Sequence, residues 1–153
     1  MSEWVLLLGG STGHGAATAK RLARDGFGII AFHFDRGDAK KIAEETIAEV
    51  SDMTKGNCHY FNTNAASEES MDKYIPKINE ITNGKPLKLL LHSIAFGTTT
   101  NFFGEKPVTQ RQMDMTVHVM GNSLLYWTQK LHQAKLLSSG SRIIGLTSEG
   151  KYL

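Results

Sequence analysis

The chain has 153 residues, of which 41% are hydrophobic and 21% are charged, so it is long enough to bury the core of one domain. A net charge of +2 is too small to favour nucleic acid or anionic membranes as partners. The single cysteine excludes an internal disulfide and leaves the cytoplasm as the expected compartment, and no apolar run is long enough for a membrane span or a signal peptide.

Apolar runs alternate with amphipathic segments in the first half of the chain. The run Trp4–Leu8 predicts a first strand, because a strand covered by helices on both faces is continuously apolar. The glycine-rich turn GGSTGHG leads into a helix that Gly26 is expected to end, and residues 28–34 predict a second strand. Asp38 is expected to cap the next helix.

The middle of the chain repeats this alternation. Residues 59–61 and 87–91 predict the third and fourth strands. Between them Ser67 opens a helix, which Pro76 should kink or shorten because proline lacks the amide hydrogen and clashes with the preceding turn.

A long helix is predicted next. Thr109 and Gln112 have the spacing of a capping box at its start, and Gly140 is expected to end it before a fifth strand over 141–146. One face of this helix is expected to lie in the core, and an extension of that face into a subunit interface is the alternative. Its residues are Met113, Val117, Met120, Leu124, Trp127 and Leu131.

Alternating strands and helices predict an α/β fold of the Rossmann type, a doubly wound parallel sheet in the order 3-2-1-4-5. We expect one dinucleotide-binding domain over 1–153, with a ligand crevice above strands 1 and 4 where the order reverses. The apolar edge of strand 5 is left bare. We therefore expect the chain to be the N-terminal part of a longer protein, with its C-terminal strands missing, and to be poorly soluble or to associate when isolated.

The turn after strand 1 is the first candidate site. Glycines there allow a tight turn and bring backbone amides close to a pyrophosphate, while the start of the following helix adds partial positive charge. A purely structural turn is the alternative. The candidate cofactor-binding residues in the turn are Gly9, Ser11, Thr12, Gly13, His14 and Gly15.

The G-x-x-x-G-x-G spacing of this turn resembles the short-chain dehydrogenase/reductase superfamily. The resemblance continues at Asn64-Ala65 after strand 3, at the stretch from His92 to Ala95 after strand 4 and at Thr147-Ser148 after strand 5. It implies a nicotinamide dinucleotide as cofactor, with Asn64 and Ala65 along the adenine and with Ser93 and Ile94 also at the cofactor.

The segment LHSIAFG and His118 resemble the enoyl-acyl-carrier-protein reductases within that superfamily. This resemblance implies hydride transfer to an enoyl thioester, carried by acyl carrier protein, in fatty acid synthesis. The glycine turn is of the ordinary short-chain type, so a 3-oxoacyl-acyl-carrier-protein reductase is an alternative. The resemblance also implies a homo-oligomer for the complete protein.

Cofactor choice depends on the end of strand 2. An acidic residue there accepts a hydrogen bond from the ribose 2′-hydroxyl, whereas an arginine pairs with a 2′-phosphate. The sequence offers both Asp35 and Arg36. Because Arg36 stands where NADP-using relatives carry arginine, NADPH is expected rather than NADH; a solvated loop charge is the alternative.

Ser148 is the one candidate catalytic residue in the sequence. The resemblance gives it a hydrogen bond to the substrate oxygen and places the catalytic tyrosine and lysine beyond Leu153. The 153-residue chain alone is therefore expected to be inactive, and a non-catalytic dinucleotide-binding module remains a second class of function. The six histidines show no paired metal-binding spacing, so no metal is expected.

Overall fold

A computed structural model describes residues 3–147 and shows a five-stranded parallel sheet with helices on both faces. The strands are β1 (Trp4–Leu8), β2 (Gly28–His33), β3 (Cys58–Asn62), β4 (Leu89–His92) and β5 (Arg142–Gly145). The helices are α1 (Gly13–Arg24), α2 (Ala39–Met53), α3 (Glu68–Thr82), α4 (Gln110–Val117) and α5 (Ser123–Gln133), with a π-helical turn, His118–Asn122, between the last two. The spatial order β3-β2-β1-β4-β5 confirms the predicted topology.

The central strand β1 shows why its sequence is apolar throughout. Val5 and Leu7 pack against α1 and α2 on one face, while Leu6 and Leu8 pack against α3 and α5 on the other. All four side chains are at most 1% exposed. Since full burial of such a side chain stabilises the fold by about 1.5–3 kcal/mol, β1 anchors both helical layers.

The long helix predicted up to Gly140 ends earlier, at Gln133. Lys135 adopts a left-handed conformation with φ of 59°, and the amide of Leu136 donates to the carbonyl of Leu131 at 2.9 Å. These are the features of a Schellman cap, in which glycine is the usual left-handed residue. The boundary was wrong because lysine takes that position here, aided by burial of Leu136 in the core.

The predicted core face of this helix is also wrong in its first half. Met113, Val117 and Met120 are 37%, 52% and 45% exposed, whereas Trp127 and Leu131 are fully buried. The π-helical turn between the two halves holds more residues per turn than an α-helix, so it rotates the apolar face. A single helical periodicity applied to the whole segment therefore does not predict which residues are buried.

Two helix starts are as predicted and one is not. Thr109 and Gln112 form the capping box of α4, and the Ser67 side chain accepts a hydrogen bond from the amide of Ser70 at the start of α3. Asp38 stands at the start of α2, but its backbone is already helical (φ −66°, ψ −29°) and its side chain makes no cap hydrogen bond. A capping side chain needs an extended backbone to reach the first amides.

Helix α3 runs past Pro76 without being shortened. Ile75 is 9% exposed and Ile78 is fully buried, so core packing on both sides of the proline offsets the one hydrogen bond that it removes. Within residues 3–147, none of the helices is long and apolar enough to cross a bilayer.

Strand β5 has less cover than the other strands. All four of its residues are exposed, with Ile143 at 46% and Ile144 at 43%. Adjacent residues of a strand point to opposite faces, so both faces of β5 are only partly covered by the described residues.

A buried hydrogen bond joins the end of β4 to the π-helical turn. Ser123 Oγ donates its only proton to the carbonyl of Val119 at 2.7 Å, so it must accept from His92 Nε2 at 2.8 Å. His92 is 2% exposed, and burial lowers its pKa. The ring is therefore held neutral, with its proton on Nε2.

We expect this arrangement to make stability depend on pH. Because the pKa of His92 is lower in the folded chain than its ordinary value of 6.5, the unfolded chain binds the proton first. The free energy of unfolding should be highest above that value and should decrease as the pH falls below it. Burial and the charge of Lys77 lower the pKa of His59 and contribute in the same direction.

Urea unfolding at about pH 7.5 and about pH 5 measures this decrease. His92→Asn should lose less stability than the unaltered chain over this interval, while His132→Asn, at the exposed end of α5, should behave as the unaltered chain does. An equal pH dependence in all three proteins would contradict the assignment to His92.

Candidate functional site

A cleft of about 610 Å³ lies at the carboxyl ends of the strands, where the sheet order reverses. Segments that follow β1, β2, β3 and β4 form its walls, together with side chains of α4 and the π-helical turn. Eight of the predicted cofactor-binding residues line it. They are Gly9, Ser11, Thr12, Arg36, Asn64, Ala65, Ser93 and Ile94.

The turn after β1 leaves no room for a side chain at Gly9 or Gly15. A Cβ atom at Gly9, whose φ is +91°, would lie 2.2 Å from the carbonyl oxygen of Ser93. A Cβ atom at Gly15 would lie 1.7 Å from the carbonyl oxygen of Gly9. The backbones of the β1 turn, the β4 turn and α1 are therefore in direct contact, and only glycine allows this approach.

The start of α1 is free to bind an anion. The N-cap residue Thr12, directly before the helix, is extended but makes no side-chain cap hydrogen bond, and the first turn contains no acidic residue. The first amides of a helix have no partner within it, and the helix dipole favours negative charge there. Gly13 and His14 are exposed beside the cleft, and Gly15 is buried under the turn.

Three side chains meet at the end of β2. One carboxylate oxygen of Asp35, Oδ2, accepts hydrogen bonds from Ser11 Oγ at 2.6 Å and from His33 Nδ1 at 2.8 Å. The Asp35 side chain is 15% exposed. The hydroxyl of Ser11, a predicted cofactor-binding residue, thus already donates to a side chain of the protein, and no sequence spacing indicated this cluster.

Arg36, the next residue, points its charge outward. Its guanidinium carbon lies 4.5 Å from the centre of the Phe34 ring, a cation–π arrangement that orients the side chain at the cleft. Both residues are exposed, so the guanidinium N–H groups are accessible to an anion.

The segment after β3 is held from behind by the helical layer. Trp127 Nε1 donates to the carbonyl of Ala65 at 2.7 Å, and His118 Nε2 donates to the carbonyl of Ala66 at 2.9 Å. Asn64 Oδ1 accepts from the amide of Ala66 at 3.0 Å, which closes a tight local turn. This wall of the cleft is therefore fixed by residues more than 50 positions away.

The far end of the cleft is mostly apolar. The amide of Ser93 donates to the carbonyl of Leu8 at 2.7 Å and holds the turn after β4 against β1. Ile94, Phe96 and Met115 line the cleft beyond this turn. Phe96 and Met115 were not among the predicted site residues. Phe96 lies in the LHSIAFG segment that carries the resemblance, whereas the only sequence signal of Met115 was an apolar side chain between Asp114 and Thr116.

Ser148, the predicted catalytic residue, lies outside the described residues. Within residues 3–147, no three His, Cys, Asp or Glu side chains come together in a group that could hold a metal ion.

The family model described as short chain dehydrogenase matches residues 3–151. A comparison with curated proteins finds no match. Among solved structures, a short-chain dehydrogenase/reductase from Serratia marcescens superimposes with a TM-score of 0.74 at 22% identity, over 94% of this chain and 54% of that one.

A 3-oxoacyl-[acyl-carrier protein] reductase from Brucella melitensis superimposes with a TM-score of 0.71 at 18% identity, over 88% of this chain and 50% of that one. This chain thus spans about half the length of these structures. At such identities the structural matches show the fold alone, whereas the family model covers nearly the whole sequence. The chain belongs to the short-chain dehydrogenase family.

Proposed function

We propose that this chain binds NADPH in the cleft and is the cofactor-binding part of a reductase acting on acyl thioesters. The observation that carries the proposal is the glycine turn packed backbone to backbone at the uncapped start of α1, with the exposed guanidinium of Arg36 at the neighbouring strand end. The first feature suits a pyrophosphate and the second suits a 2′-phosphate.

The residues around the cleft suggest how the cofactor would lie. The first amides of α1 would bind the pyrophosphate, and Asn64 and Ala65 would lie along the adenine. Ser93 and Ile94 would then stand at the nicotinamide end, beside the apolar wall. When bound, the cofactor supplies the hydride; the protein contributes orientation, exclusion of water and a hydrogen bond to the substrate oxygen, the role proposed for Ser148.

An enoyl thioester on acyl carrier protein is the proposed substrate. The likeness of the His92-Ser93-Ile94 stretch to the enoyl reductases supports it, and the apolar wall formed by Phe96 and Met115 offers a surface for an acyl chain. A 3-oxoacyl thioester is the second candidate, because the glycine turn has the ordinary short-chain spacing. A role in fatty acid synthesis, in the cytoplasm and as a homo-oligomer, belongs to the same proposal.

The substrate class is tested in the natural full-length protein by following NADPH oxidation. A crotonyl thioester should be reduced with a higher kcat/KM than an acetoacetyl thioester. The reverse preference would favour the 3-oxoacyl substrate. Oxidation with neither, despite tight NADPH binding, would favour a dinucleotide-binding module without turnover.

Dinucleotide binding should depend on the glycine turn. In Gly15→Ala the new methyl group would clash with the carbonyl of Gly9, so the turn must open. We expect a stability loss of about 1–3 kcal/mol and loss of the NADPH-dependent rise in melting temperature. Calorimetric titration well below the melting temperature separates lost binding from unfolding.

Gly121→Ala is the matched control. A Cβ atom there meets nothing within 4 Å, so this variant should bind NADPH as tightly as the unaltered chain. If Gly15→Ala bound NADPH equally well, the cleft would not be the cofactor site.

Arg36 should set the preference for the phosphorylated cofactor. Hydrogen bonds to a charged group contribute about 1.5–3 kcal/mol, so Arg36→Ala should weaken NADPH binding by roughly tenfold to a hundredfold. NADH binding should change little, since it has no 2′-phosphate. Arg24→Ala, at the exposed far end of α1, is the control and should alter neither affinity. An equal loss for both cofactors on Arg36→Ala would remove the case for NADPH.

A further inference from the structure

The Asp35 carboxylate is restrained from two directions. Ser11, in the glycine turn, and His33, in β2, both donate to its Oδ2 atom, and these two donors are only 4% and 8% exposed. All three residues line the cleft. The cluster therefore joins the turn at the start of α1 to the strand end where the adenosine ribose would lie.

This restraint affects how the Asp35 carboxylate can interact with a 2′ substituent of the ribose. A free carboxylate at the end of β2 would accept a hydrogen bond from a ribose 2′-hydroxyl and would repel a 2′-phosphate. Here Oδ2 already accepts two hydrogen bonds, one from Ser11 in the glycine turn and one from His33 in β2, and together they fix the orientation of the carboxylate. The exposed guanidinium of Arg36 is then the more accessible charged group for a 2′ substituent.

We propose that Ser11 and His33 are specificity-determining residues that act through Asp35. By holding its carboxylate between the glycine turn and β2, they prevent Asp35 from selecting NADH and allow Arg36 to select NADPH. They are positioning residues, because the group that would meet the ribose is Asp35 or Arg36. The inference rests on the proposed function, namely that the cleft binds a nicotinamide dinucleotide.

A cluster that only braced the fold would have a different signature. Loss of a bracing hydrogen bond would weaken NADPH and NADH binding by the same factor. Release of the Asp35 carboxylate would instead favour the 2′-hydroxyl and disfavour the 2′-phosphate. The ratio of the two dissociation constants therefore separates these roles.

The test measures NADPH and NADH dissociation constants calorimetrically for Ser11→Ala and His33→Phe in the 153-residue chain. For each variant, the dissociation constant for NADH divided by that for NADPH should fall by roughly tenfold, the effect expected for one charge-assisted hydrogen bond. Such a fall means a weaker preference for NADPH. Thr18→Ala is the matched control: it also removes a hydroxyl near the turn, but one that donates to the carbonyl of His14. Its ratio should equal that of the unaltered chain.

Asp35→Asn completes the test. Without the negative charge, the ratio should stay at or above that of the unaltered chain, and adding Ser11→Ala should then change it no further. A lower ratio in Asp35→Asn would overturn the inference even if the other variants fold poorly. So would folded Ser11→Ala and His33→Phe variants that keep the original ratio.

Failure of the proposed function gives a different result. If the unaltered chain bound neither NADPH nor NADH, no ratio could be measured, and both the proposed function and this inference would fall. If it bound both and only the ratios were insensitive to the variants, the proposed function would stand and this inference alone would be wrong.

Discussion

The contact of backbone on backbone at the glycine turn is the constraint on which the rest of the site depends. Gly15 lies against the carbonyl of Gly9, and Gly9 lies against the carbonyl of Ser93, with no side chain between them. These contacts bring the start of α1 to the ends of β1 and β4. They thereby place the glycine turn, and with it Ser11 of the Asp35 cluster, at the edge of the cleft.

A second constraint comes from far along the chain. Trp127 and His118, in the helical layer, donate hydrogen bonds to the carbonyls of Ala65 and Ala66. The segment after β3 is therefore fixed by residues that come much later in the sequence. The buried His92–Ser123 bond ties the π-helical turn to β4 in the same way. The cleft is therefore built jointly by both halves of the described chain.

Most of the fold could be predicted from the sequence, because its signals were local. Continuous apolar runs marked the buried parallel strands, glycine marked the turn after β1, and the spacing of Thr109 and Gln112 marked the start of α4. The helix end at Gln133 could not be predicted, because Lys135 takes a left-handed conformation that glycine usually signals. The π-helical turn could not be predicted either, because it interrupts the hydrophobic periodicity from which helices and their buried faces are predicted.

The candidate site likewise contains features that local sequence signals predicted and features that they did not. Residues carried by a motif at a strand end, such as Asn64 and Ser93, line the cleft. The hydrogen bonds of Ser11 and His33 to Asp35 were not predicted, because they join side chains from different strand ends and no spacing encodes their geometry. The sequence motifs identify several of the residues that line the cleft, but the hydrogen bonds between their side chains depend on the three-dimensional structure.

The hydrogen bond from Trp127 to Ala65 also has a spectroscopic consequence. The indole is fully buried, and its N–H group is bound to the wall of the cleft, so its fluorescence emission is sensitive to how that wall is held. The other tryptophan, Trp4, lies at the opposite end of the sheet, beside His59. The molecule thus carries an intrinsic optical reporter at the cleft and an internal reference far from it.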